Sequence, residues 1–256
     1  MIYGLWLSAG GLQVNEYRLA IGANNLANVD TVGFKHDLAL IRQRRVESQA
    51  SVDGMRFGHS VFDNLSGGNW VQPTLHSFRQ GDLVPSSNPL DLAIQGKGFF
   101  AVSDGQTVHY TRDGRFTTNR AGELVMVAGG GRQRATDQKG SPIRLTPGLG
   151  KPTVSRNGTV KQGDTVIGQI RIVEFADRQK LRKVGANLFT ATDGAEPLKP
   201  SESRVHSGFT ERSTVNPMEA LASTVEVSRA YQLNATLISL QDQTLGLAVN
   251  TVGRVR

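Results

Sequence analysis

Leucine recurs every seventh residue at the start of the chain. Leu5, Leu12, Leu19 and Leu26 form one row, Ile2, Ala9 and Ala23 fill the positions between, and Glu16 is the one polar interruption. Such a 3–4 repeat predicts a helix with a narrow apolar stripe, and its alanines permit close helix approach. Two readings are open: a seam for a second helix, in a bundle or in another subunit, or an ordinary amphipathic helix packed on its own domain.

The end of the chain mirrors the start. Asn216, Pro217 and Glu219 spell a helix beginning, with Asn216 as N-cap, Pro217 at the first helical position and Glu219 completing a capping-box pattern. Beyond them Ala230, Leu233, Leu237, Leu240 and Leu247 recur at 3–4 spacing, and a second row (Val227, Tyr231, Ile238, Leu245, Val252) runs beside it. A face this broad predicts contact with more than one neighbour. From Asn216 to about Val249 the helix would be roughly 50 Å long.

Between the two the texture changes to short β-prone runs and turn dipeptides. Val108–Arg112, Asp113-Gly114 and Arg115–Thr118 predict a hairpin; residues 119–122 predict a turn, and Glu123–Val127 the next strand. Val154–Val160 repeats the hairpin grammar around Asn157-Gly158. Leu90–Ile94 and Gly96–Phe100 predict a strand pair about a glycine turn, and Gln169–Phe175 a single strand. Residues 36–69 fit neither texture: Leu38–Val46 reads as a possible helical continuation, and the rest is polar and glycine-rich. The chain therefore predicts an α+β fold. Long N- and C-terminal helices (1–35 and 212–256) form a coiled-coil-like domain, joined by an extended arm (36–69) to an inserted β-rich middle domain (70–211). The terminal helices can pair because domain termini commonly lie close together.

Composition narrows the function. Twenty-nine glycines and only 6% aromatics agree with many turns and short strands. There is no cysteine, which excludes disulfides and thiolate chemistry. No apolar stretch of about 20 residues occurs, and the N-terminus lacks the basic and apolar regions of a secretory signal. The expectation is a chain without a transmembrane segment that would leave the cytoplasm without a classical cleaved signal. The net charge of +7 and pI near 10.0 raise a polyanion partner. Yet the densest basic run, Arg42–Arg45, has no interleaved aromatics, which favours a solvated surface with no nucleic acid bound. The five histidines lie far apart, Gly96-Lys-Gly98 and Gly129–Gly131 are not phosphate loops, and no GxSxG elbow is present. No catalytic, metal or cofactor residue is nominated, and the chain is read as a non-enzyme. The sequons at Asn64, Asn157 and Asn234 are explained better by local structure than by glycosylation.

Four blocks carry a resemblance. Residues 23–35 (ANNLANVDTVGFK), Pro89–Phe100, Tyr110–Phe116 with residues 119–124, and residues 215–231 with Gln241-Asp-Gln243 closely resemble the shared blocks of bacterial flagellar rod and hook proteins. They stand in family order and span nearly the whole chain. The length suits a rod protein rather than a hook subunit. The arm resembles the distal-rod type more than its proximal-rod paralogue, while the ending Leu245–Arg254 departs from both. The resemblance implies a structural subunit that polymerises helically through its terminal helices into a hollow periplasm-spanning shaft. It also implies export by the flagellar type III apparatus without a cleaved signal. Its partners would be other copies, other rod subunits, hook proteins and the surrounding basal-body rings. From a different class, a basic polyanion-binding module remains the alternative.

An assembly surface can then be nominated: Leu5, Leu12, Leu19 and Leu26 with Leu233, Leu237, Leu240 and Leu247. At the junction, Asn28 is the candidate left-handed residue that ends the helix, and Gly33 lets the chain bend into the arm. Asn24 and Asn25 lie off the leucine row; they are either solvated or hydrogen-bonding contacts between subunits.

Overall fold

The structure, a computed structural model, describes residues 2–43, 68–192, 194–200 and 202–252. It has an N-terminal helix, a β-rich middle and a C-terminal helix. The described residues fall into two compact units. The first draws on the described residues within 1–27, 37–75 and 216–256, and the second on those within 28–36 and 76–215.

The first unit contains α1 (Ile2–Ala27), β1 (Asp37–Gln43), β2 (Asn69–His76, whose last residue falls in the second unit) and α2 (Pro217–Val252). The α2 start follows its sequence grammar: Pro217 opens the helix, Asn216 Oδ1 accepts from Met218 N at 3.1 Å, and Asn216 O accepts from Ala220 N. The two helices run antiparallel, and their register is set by glycine. A methyl group at Gly4 would lie 3.0 Å from Gln241 Nε2, one at Gly11 2.9 Å from Asn234 Nδ2, and one at Gly22 3.0 Å from Thr224 Oγ1. Glycine inside a helix costs about 1 kcal/mol relative to alanine; here it opens notches that take the polar side chains of α2. Strands β1 and β2 pair as a two-stranded ribbon. Tyr17 of α1 reaches β2, its hydroxyl lying 2.6 Å from Thr74 Oγ1 and 3.2 Å from Gln72 O. The helical continuation expected over Leu38–Val46 is thus a strand as far as Gln43, since Leu38 and Leu40 alternate with Ala39 and Ile41 across its two faces. The rest of the expected arm, 44–67, lies outside the described residues.

The second unit is antiparallel β throughout its described pairings. Its main sheet is built on β5 (Phe99–Ser103), which pairs with β6 (Val108–Thr111), β9 (Arg134–Ala135) and β13 (Ile172–Phe175). Its core buries Leu92, Ile94, Phe100, Val102, Phe116, Leu124, Met126 and Ile170 in one cluster and Phe99, Tyr110, Phe175 and Phe189 in another.

The expected turns at residues 119–122 and Asn157-Gly158 are formed. Asn119 Oδ1 accepts from Ala121 N and Glu123 N, and β7 (Phe116–Thr118) pairs with β8 (Leu124–Met126). Strands β10 (Pro152–Val154) and β11 (Thr159–Gln162) pair across Asn157-Gly158.

Three expectations are corrected. Asp113-Gly114 is a corner rather than a hairpin turn: β6 pairs with β5 and with Leu188–Ala191, while β7 pairs with β8. Asp113 is buried against Arg115, and a Cβ at Gly114 would lie 1.7 Å from Leu92 O, so both residues serve packing instead of chain reversal. Leu92–Gln95 and β5 do not pair with each other; the former pairs with Arg204–Ser207. Gln169–Phe175 divides between two sheets, with Thr165–Gln169 on β11 and β13 on β5.

Candidate functional site

Within the first unit, α2 presents two different faces. The residues turned toward α1 are small, polar or moderate in size. Val227 is buried, and Thr224, Asn234, Ile238, Gln241 and Leu245 are partly buried at 3–4 spacing. The neighbouring row, turned away from α1, is the one with the most leucine. Leu233 is 67%, Leu237 47%, Leu240 52% and Leu247 68% exposed. Met218, Leu221, Val225 and Val249 are also exposed on α2, as are Tyr3, Trp6 and Leu7 on α1. Leu5, Leu12, Leu19 and Leu26 are all partly buried. The face that α1 turns toward α2 carries Gly4, Gly11 and Gly22, and Ser8 and Asn15, at the same 3–4 spacing, are buried.

The asparagines divide by role. Asn25 is buried, and its amide mimics a strand partner: Nδ2 donates to Asp37 O at 2.8 Å and Oδ1 accepts from Asp37 N at 2.9 Å. That amide is committed inside the chain, fastening β1 to the end of α1, instead of lying in solvent. Asn24 is exposed. Asn28 does not take the expected left-handed conformation. It starts a turn instead, accepting from Thr31 N at its carbonyl and from Thr31 Oγ1 at its side chain. The left-handed residue is Gly33, with φ +69°, where a Cβ would lie 2.5 Å from Asp113 N.

In the second unit, residues 28–36 end in a charged cluster that sequence reasoning missed. Lys35 is fully buried; its Nζ donates to Glu211 Oε1 and to Arg79 O, both at 2.6 Å. Arg112, equally buried, lies 3.3 Å from Glu211 Oε2 and donates to the carbonyls of Ile94 and Gly96. Burial pushes the Lys35 ammonium down to about 8, against the pull of Glu211, and burial lowers Arg112 as well. Lysine after glycine and phenylalanine reads as a surface residue, so the only sequence signal was its place in the block 23–35.

Chemistry is sparse elsewhere. A depression of about 900 Å³ is lined by Gln95, Gly96, Arg156, Asn157, Glu202, Ser203 and Arg204. Ser203 is the hydroxyl there, and it donates to Glu174 Oε1 and accepts from Gly98 N. Among the described residues no group of three or more acidic or histidine side chains is placed to hold a metal. No helix there is long and apolar enough to cross a membrane.

A helical unit assembled from both chain ends, an inserted β unit and an outward leucine row define a structural subunit. The descriptions "Flagella basal body rod protein", "Flagellar hook protein FlgE/F/G D1 domain" and "Flagellar basal body rod FlgEFG protein C-terminal" match residues 7–35, 93–173 and 206–251. The chain is 34% identical over 237 residues to the flagellar basal-body rod protein FlgF of Caulobacter vibrioides, covering 93% of this chain and 92% of the relative. It is 31% identical to FlgG of Buchnera aphidicola subsp. Schizaphis graminum, covering 96% and 98%. It is 32% identical to FlgG of Caulobacter vibrioides, covering 93% and 95%. The chain belongs to the flagellar basal-body rod protein family. It is a structural subunit of the basal-body rod.

Proposed function

We propose that the chain polymerises helically by covering the outward leucine row of α2 with neighbouring subunits, building a shaft through the periplasm. The observation that carries this reading is the inversion of α2, whose small and polar side faces α1 while Leu233, Leu237, Leu240 and Leu247 face outward. In this reading α1 and α2 form a coiled-coil-like pair, following the 3–4 spacing of the contacting residues, and Leu5, Leu12, Leu19 and Leu26 flank the pair as a second contact surface. Asn24 belongs to that surface, and Trp6 and Leu7 extend it at the start of α1. The β-rich unit, a middle domain over 70–211, forms the outer layer and carries no catalysis.

The axial partners are other rod and hook subunits, with the basal-body rings around them and the type III apparatus exporting the chain uncleaved. The arm, 36–69, supports a distal position in the rod. A polyanion-binding role is not favoured, because the four resembling blocks lie in the family's shared regions rather than at the Arg42–Arg45 run.

Complementation of a strain lacking this chain, followed by cryo-EM of isolated basal bodies, tests the reading. Density for the chain along the distal rod supports it. Density restricted to the proximal rod replaces the distal assignment, and basal bodies without the chain would overturn the structural role.

A further inference from the structure

Residues 28–36 follow α1 in the chain and precede β1, yet they pack into the β-rich unit as a strap. Gly33 N donates to Glu211 O at 2.8 Å, Thr214 N to Phe34 O at 3.2 Å, and Ser77 N to His36 O at 2.8 Å. His36 N donates to Thr214 Oγ1 at 3.0 Å, and Asn187 Nδ2 to Val32 O at 2.9 Å. Lys183 Nζ sits 3.8 Å from the centre of the Phe34 ring and donates to Lys35 O. The strap is therefore held along its length by backbone and neutral side-chain hydrogen bonds, with the Lys183 ammonium as one charged donor.

Its inner end carries a charge imbalance. Lys35 and Arg112 share the one carboxylate of Glu211, which also accepts from Gly81 N. The charged groups around them do not restore balance. Arg178 bears unfavourably on both cations, and Glu174 bears favourably only on Arg112. Lys183 contributes a further positive group against the strap, and Arg79 offers its backbone oxygen. Arg112 Nε is buried without an acceptor among the described residues. A buried ammonium that shares its counter-ion gains by shedding its proton, whereas the released strap would carry Lys35 in water and hold that proton firmly.

We propose that segment 28–36 is a proton-sensitive strap, loosened when Lys35 is charged and tightened when Lys35 is neutral. Its sign runs opposite to that of an ordinary lysine salt bridge. With Lys35 depressed from 10.5 to about 8 in the folded state, the open state binds more protons between those values. Closure is therefore favoured as pH rises through that window and disfavoured as pH falls toward 8. The opening constant should fall about tenfold between pH 7 and pH 9. At neutral pH the strap is thus poised to give slack to the chain joining α1 and β1. The use of that slack when terminal helices change partners rests on the assembly reading above; the strap itself does not.

Hydrogen exchange on the full-length monomer, corrected for intrinsic rates, tests it at the Gly33 amide. The expected result is a rise in protection of about tenfold from pH 7 to pH 9 in the wild type. In Lys35→Met the profile should be flat, with protection at pH 7 no lower than that of the wild type at pH 9. A flat wild-type profile overturns the proposal, and so does a rise that persists in Lys35→Met. Should Lys35→Met fail to fold, the titration of the Lys35 side chain followed by NMR in the wild type decides: a midpoint near 8 upholds the strap, and one near 10.5 overturns it. A strap that titrates as stated in a chain that never enters rods would sink the assembly reading alone.

Discussion

Truncating the outward leucines separates the two faces of α2. Leu233 and Leu247 each leave about two-thirds of their surface exposed in the single chain. Full burial of a leucine is worth about 1.5–3 kcal/mol, so covering each of these contributes about 1–2 kcal/mol to association. Leu233→Ala with Leu247→Ala should therefore raise the critical concentration for polymerisation roughly thirty- to eight-hundred-fold. The monomer should hardly notice. A leucine removed from a core costs about 2–5 kcal/mol, but at an exposed helical site the better helix propensity of alanine offsets the little packing that is lost. Thermal unfolding of the monomer by circular dichroism, alongside sedimentation of polymer across a concentration series, reads both quantities. An unchanged critical concentration would refute the outward row as the assembly face. A melting point lowered as if by core truncation would refute the claim that these leucines lie outside the fold.

Three further substitutions probe the junction. Asn25→Ala strips both hydrogen bonds from the Asp37 backbone and should loosen β1 from α1 by about 2–4 kcal/mol, seen as faster exchange of the Asp37 amide. Gly33→Ala combines a left-handed φ with a Cβ 2.5 Å from a backbone nitrogen, and should cost about 3 kcal/mol or more by denaturant unfolding. Ala186 sits at φ +47° beside Asn187 at φ +58°, in the turn that presents the Asn187 amide to the strap. Ala186→Gly should relieve about 1 kcal/mol of strain and raise the melting temperature.

Period was legible in the sequence, but direction was not. Heptad spacing identifies residues that share a helix face, and it found both rows of α2. Which row met α1 depended on the glycines of α1, whose cost inside a helix is itself a sign of close packing. The N-cap Asn216 and the Asn119 and Asn157 turns were readable because their chemistry is local. Asp113-Gly114 carries the same local signature, but there the approach of Leu92 O, from a different strand, decides the geometry. Lys35 and Glu211 lie 176 residues apart, and no local pattern announces a charge pair that is made only by the fold.

The inversion of α2 has a consequence for how the helix can change over time. Its two faces answer to different judges. The inward face is judged on size, since Asn234, Gln241 and Thr224 must fit the notches of Gly11, Gly4 and Gly22, and any drift there is corrected within one molecule. Under the proposed assembly the outward face is judged by a partner, and Leu233 or Leu247 can drift only in step with whatever covers it. One helix thus carries two records that can diverge independently: one of its own folding, and one of the company it keeps.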